Sequence, residues 1–335
     1  MWRFWFQPAP AGRLGVLRVF IGGYALWYVY TRWNLICELA HKSGKLWKPV
    51  GLFRILGDPM DPVAVDWMVA ATLITGMMFV LGWMYRYFGP AFALLLYATL
   101  CFRNSWSMIY HMHNLLVVHV LVLGFVRAAD DFSLDAWLRR RRGLSVAPPP
   151  PTPWEYGWPI KLICALTVIG YFLAGVAKIM GPSGFMWASG EVMRDQIAVD
   201  TIRKEVLEGG GMDAAFILYH QVWLFTVMGV LTLVIELGAP LFLFGRRASR
   251  LWALATLGMH WGIYFIMGIK FRYQLSGILF LSFFHVEWIH DWCRATIRHV
   301  SNALGFRGAG RSPVESRRED ELGSHGALEA APHAT

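Results

Sequence analysis

Apolar residues in this chain come in long runs, without strict alternation and without a single helical stripe. Eight runs approach the ~20 residues that an α-helix needs to cross a bilayer. They cover roughly 14–33, 63–84, 88–103, 108–128, 158–180, 216–244, 249–269 and 271–290. The third is short, and only Lys270 and its neighbours separate the last two, which suits a tight hairpin. The pattern predicts an all-α, polytopic integral membrane helical bundle with about eight transmembrane helices, since a helix in lipid satisfies its own backbone. Residues 183–212 differ. There Trp187, Met193 and Ile197 are interspersed with Glu191, Arg194 and Asp195, which predicts an amphipathic outer-surface segment ended by Gly209, Gly210 and Gly211. The expected organisation is a transmembrane domain over 1–300, with a Pro-rich cytoplasmic linker at 143–157. A charged, small-residue-rich cytoplasmic tail follows at 301–335, expected to be disordered.

Composition removes the soluble alternative. The chain is 56% hydrophobic and 16% charged, against about 25% charged for soluble domains. Its net charge of +9 sits between the apolar runs and in the tail. This distribution points to membrane lipid headgroups, with no nucleic acid as partner. Arg139 to Arg142, then Arg246, Arg247 and Arg250, then Arg294, Arg298 and Arg307 fall on one side of an eight-span topology, together with Arg3 and Arg13. The positive-inside rule makes that side the cytoplasm, so both termini are expected there, in a plasma (inner) membrane. Lys42, Lys45, Lys48 and Arg54 in the first outer loop run against the rule. Pro8 and Pro10 precede the first apolar run, which does not have a signal-peptide layout. The four cysteines are too scattered to suggest a disulfide framework or a zinc site.

Ionisable groups inside apolar runs are costly, so each raises a functional question. His111, His113 and His119 lie in the fourth run, Lys178 closes the fifth, Glu236 interrupts the sixth, and His260 lies in the seventh. On a regular helix His113 points about 200° away from His111, so the three histidines do not share one metal. An interhelical hydrogen bond is the plain role for each, and no metal is expected. Lys161 opens the fifth run and is placed to snorkel. Lys178 is flanked by Ala174, Gly175 and Ala177, small residues that let another helix approach and bury the amine. Snorkelling at a helix end and service as a general base both remain open for it on the residues alone. A buried Glu236 needs a partner or a proton, and Pro240 four residues on favours a kink there.

These same residues carry a family resemblance. YFLAGVAKI (171–179), followed by Trp187 and Gly190, resembles a motif of the vitamin K-dependent γ-carboxylases and of the wider HTTM (horizontally transferred transmembrane) group. FSLDAW (132–137), VIELGAP (234–240) and MHWGIYFIMGI (259–269) follow in that family's order, and the likeness covers about residues 12–290. The second of the family's paired lysines falls on Lys178. The first falls on Ala177.

The resemblance implies a lyase-type membrane enzyme using reduced vitamin K or a menaquinol-type quinone, O2 and CO2. Lys178 would be the base that deprotonates the quinol on the way to its epoxide, and a glutamyl protein or peptide would be carboxylated. His111 or His113 falls at the place of the family's assisting histidine, with Asn114 following the latter. Glu236, His260, Trp187 and Tyr171 would bind substrate or shape the site. The family's animal member carries a long lumenal domain after its spans, with no counterpart here. This puts protein carboxylation in question more than quinol chemistry. The alternative is a non-catalytic quinone- or lipid-binding membrane module that works with a partner protein.

Overall fold

In the computed structural model, residues 2–106, 109, 112–143 and 153–303 are described. His111, most of the Pro-rich linker and the tail beyond 303 lie outside them. Among the described residues all regular structure is helical. The chain forms two compact units, 1–290 and 291–335. Of the second, only the end of the helix Glu287–Ala303 is described.

In the first unit, α1 (Ala11–Tyr30), α2 (Pro62–Leu81), α3 (Tyr85–Asn104) and α4 (Met112–Gly124) pack so that α2 and α4 each lie against both α1 and α3. The long α5 (Trp154–Met180) follows and lies on α4. Next come the short helix Met186–Ser189 and α6 (Glu191–Glu208), on the predicted amphipathic segment. Then α7 (Val222–Leu237) packs on α5, and α8 (Arg246–Met267) packs on α7.

Local signals set the boundaries. Asp61 Oδ1 accepts from the Val63 and Ala64 amides at 2.9 and 3.4 Å, Pro62 occupies the first turn of α2, and Gly82 ends it in the left-handed conformation. Asp135 then accepts from the Met84 and Tyr85 amides at 2.9 and 3.0 Å, so the FSLDAW segment caps α3.

Among the described residues two helices, α2 and α5, are long and apolar enough to cross a membrane, and α1 with Trp33–Leu39 makes a third if that pair, bent by 56°, is one span. The structure does not carry the expected count of eight. Arg86 and Arg103 lie within α3, α4 has 13 residues and α7 has 16, stopping at Gly238 before a separate turn Ala239–Phe242 that contains Pro240. The expected span 271–290 is not one helix. It is the turn Arg272–Leu275, the 3-10 segment Ile278–Phe283 and an extended link to Glu287. Gly277, at φ +73°, separates the first two. This segment packs against α1, α5 and α8, with Tyr273, Leu279 and Phe280 buried. Irregular backbone at membrane depth survives only when protein covers it, which is its situation here.

Arg18, inside the first apolar run, has no exposed surface. Its guanidinium donates to the carbonyls of Phe132 at 2.6 Å, Ala128 at 2.9 Å and Val80 at 3.3 Å. One cation thus ties α1 to the end of α2 and to the loop before the cap of α3. Arg18→Leu leaves these carbonyls without that donor and should lower stability by about 3 kcal/mol. A detergent-solubilised thermal melt would show a clear drop in midpoint, and an unchanged midpoint would refute the tie.

Candidate active site

The last turns of α5 carry Tyr171, Gly175 and Lys178 at spacings of four and three, which puts them on one helix face. That face meets the end of α7. A Cβ on Gly175 would lie 2.9 Å from Glu236 Cβ and 3.0 Å from the Leu237 side chain, so a glycine is needed for the approach. Lys178 Nζ then donates to Glu236 Oε1 at 2.7 Å and Oε2 at 2.6 Å. The lysine side chain is 22% exposed and the carboxylate side chain 6%. Such a pair holds together because its partners are matched. Removing one alone leaves a charge where water does not reach it.

Beyond α5 the chain folds over this pair. Gly190 has φ +81° and presses on α7, where an added Cβ would sit 2.3 Å from the Thr226 amide nitrogen. Thr226 Oγ1 donates to the Ser189 carbonyl at 2.6 Å. The seat brings Trp187 over the site, its ring centroid 5.6 Å from Lys178 Nζ.

Lys178, Glu236, Trp187, Tyr171 and His260 all line one cleft of about 870 Å³. Apolar side chains such as Leu166, Ile169, Leu173 and Ile263 make up much of its wall. An adjoining cleft of about 550 Å³ shares Lys178, Trp187 and Glu236 and continues between α7 and α8. Deeper in, Tyr171 Oη and His260 Nε2 share a hydrogen bond of 2.6 Å, both side chains buried. Asn114, read from the sequence only as the neighbour of His113, lines this cleft, and so do three polar residues the sequence did not single out: Ser183, Gln196 and Gln274. Asn114 and Gln274 are uncharged polar residues within expected spans, a signal missed by a search for ionisable groups alone.

The histidines divide differently from expectation. His113 does not line the cleft. It is buried against Tyr28, with ring centroids 4.9 Å apart, and its Nε2 lies 3.4 Å from an Arg103 guanidinium nitrogen. Its neighbour Asn114 lines the cleft instead, because one residue of helix turns the side chain by about 100°. His119 is buried between Tyr273 Oη at 2.9 Å and Thr167 Oγ1 at 3.1 Å, an interhelical hydrogen-bonding role. Among the described residues no three of His, Cys, Asp and Glu converge as a metal site.

A family model for the HTTM domain matches residues 6–288. The chain belongs to the HTTM domain family. With its apolar helices, membership makes it a membrane protein, and the match takes in every residue of the cleft. No curated protein and no solved structure is significantly similar to it. Within this HTTM domain, the Trp187–Gly190 turn holds its place only while Gly190 stays small. Gly190→Ala should displace that turn and cost about 2 kcal/mol, through the added clash and the left-handed backbone. The check is a lowered melting midpoint with faster proteolysis within 183–190. Wild-type behaviour in both would show that the seat does not need glycine.

Proposed function

We propose that this HTTM protein is a vitamin K-dependent carboxylase-like membrane enzyme, with the Lys178–Glu236 pair as its proton-handling centre. The observation that carries the proposal is the bidentate pair itself, set in the wall of a mainly apolar cleft. The cleft falls within the ~300–1,000 Å³ usual for small-molecule sites. Its lining suits a quinone ring and the start of an isoprenoid tail, with Trp187 as a flat contact for the ring. The quinol would supply reducing power, so that quinol, O2, a glutamyl side chain and CO2 give epoxide, γ-carboxyglutamate and water.

The chain's own part is proton transfer and positioning. A lysine fully paired with a carboxylate is protonated and is no base. With Nζ 2.6 Å from Oε2, however, one proton moved to Glu236 leaves an uncharged amine beside an uncharged acid. In an apolar cleft the neutral pair gains relative to the ion pair, and the free amine then accepts the quinol hydroxyl proton at Nζ. His260, held by Tyr171, takes the assisting place proposed for His113 or His111. Eight crossings with both termini in the cytoplasm of an inner membrane, with α3, α4, α7, α8 and the irregular segment 271–290 completing the set, would put Lys178 near the outer face.

One observation favours the competing reading, a quinone- or lipid-binding module without turnover. The pair is complete as it stands and needs no substrate to satisfy it. Purified protein incubated with vitamin K hydroquinone, oxygen, labelled CO2 and a glutamyl peptide separates the two. Epoxide should form in wild type and fall to background in Lys178→Met with Glu236→Gln, a double variant that leaves no lone buried charge. Epoxide without fixed label would keep the quinol chemistry and assign a different acceptor. Quinol binding with no epoxide would establish the module.

A further inference from the structure

At the other end of α5 lies a second, smaller cavity of about 110 Å³. Lys161 lines it, and so do Arg13 of α1 and Arg246 and Arg250 of α8, while no carboxylate does. Lys161 and Lys178 are 17 residues apart on one helix, which at 1.5 Å per residue is about 25 Å. The two cavities therefore sit about one hydrocarbon thickness apart along α5.

The four cations are not balanced. Arg13 is engaged, donating to Glu287 at 2.5 and 2.8 Å and facing His285 Nδ1 at 3.2 Å. Among the described residues Lys161, Arg246 and Arg250 have no carboxylate partner. Arg250 Nε is shut off from solvent without a hydrogen-bond acceptor. Ser282, 5% exposed, also lines the cavity, and its Oγ beside the Cys164 thiol has no oxygen or nitrogen partner. Arg246 and Arg250 are one turn apart at the N-terminal end of α8, where the helix dipole already places positive charge. Like charges at that spacing repel. An anion bound there would relieve both repulsions.

We infer that this cavity is a binding site for a phosphate oxyanion held by Lys161, Arg246 and Arg250, with Ser282 Oγ as a neutral donor. The volume accommodates a headgroup phosphate and excludes an acyl chain, which would have to lie outside along the bundle. Two sources present the same chemistry: the phosphate of an anionic phospholipid, and free inorganic phosphate.

The test uses the full-length protein in detergent. Thermal midpoints are measured with phosphatidic acid, with phosphatidylcholine, and with inorganic phosphate at matched ionic strength. Native mass spectrometry counts retained lipid. Wild type should be stabilised by phosphatidic acid beyond phosphatidylcholine and should retain it. Arg246→Gln with Arg250→Gln should weaken that binding roughly ten-fold or more, since two charge-assisted hydrogen bonds are lost. Arg141→Gln with Arg142→Gln, equal in charge and outside the cavity, should not weaken it.

Stabilisation by inorganic phosphate alone would assign the free anion as the occupant and still support the site. Equal loss in both double variants would reduce the effect to general surface charge and overturn it. No response of wild type to either phosphate source would overturn it as well, whatever the folding of the variants.

Discussion

The Lys178–Glu236 ion pair fixes where α5 meets α7, and the cleft takes its shape from that meeting. Both charges lie where water is scarce, so neither is tolerable alone. Gly175 lets the helices close to the distance at which both carboxylate oxygens reach one amine. Trp187 and Gly190 cover the pair only because α7 already stands there to receive them. The same constraint acts at Arg18, whose charge is satisfied by backbone carbonyls instead of a carboxylate. The first is a matched ion pair, and the second is one cation clamped on three carbonyls.

The two ends of α5 are thus chemically unlike. One carries a matched pair in the wall of an apolar cleft, and the other an unmatched group of cations around a small polar cavity. A matched pair suits proton traffic with a neutral, lipid-soluble molecule. An unmatched basic group suits a bound anion that anchors the helix ends. Separated by about the thickness of the hydrocarbon layer, the two features would, on the two proposals, divide work between chemistry and anchorage.

Much of this was legible in the residues. Long apolar runs gave the all-helical membrane class, and the ionisable groups within them marked Lys178, Glu236 and His260, which the fold brings to one cleft. Hydropathy misled at 271–290, because a buried irregular segment in a bundle is as apolar as a helix that faces lipid. Asn114 follows His113, one of the two histidines at the assisting place, yet one helical step turns the two side chains apart, and of this pair the asparagine lines the cleft. The pairing of Lys178 with Glu236, 58 positions apart, has no local signal. Arg18 went unnoticed because a single arginine in a long apolar run reads as tolerated near an interface.

The central claim is that Lys178 and Glu236 exchange a proton when a quinol enters the cleft. Infrared difference spectroscopy under nitrogen, on adding a reduced quinone to purified protein, observes that event directly. The account predicts a new protonated-carboxyl band in wild type that is absent in the double variant Lys178→Met with Glu236→Gln. Quinol binding without such a band in wild type, or with a band that persists in the double variant, would contradict it.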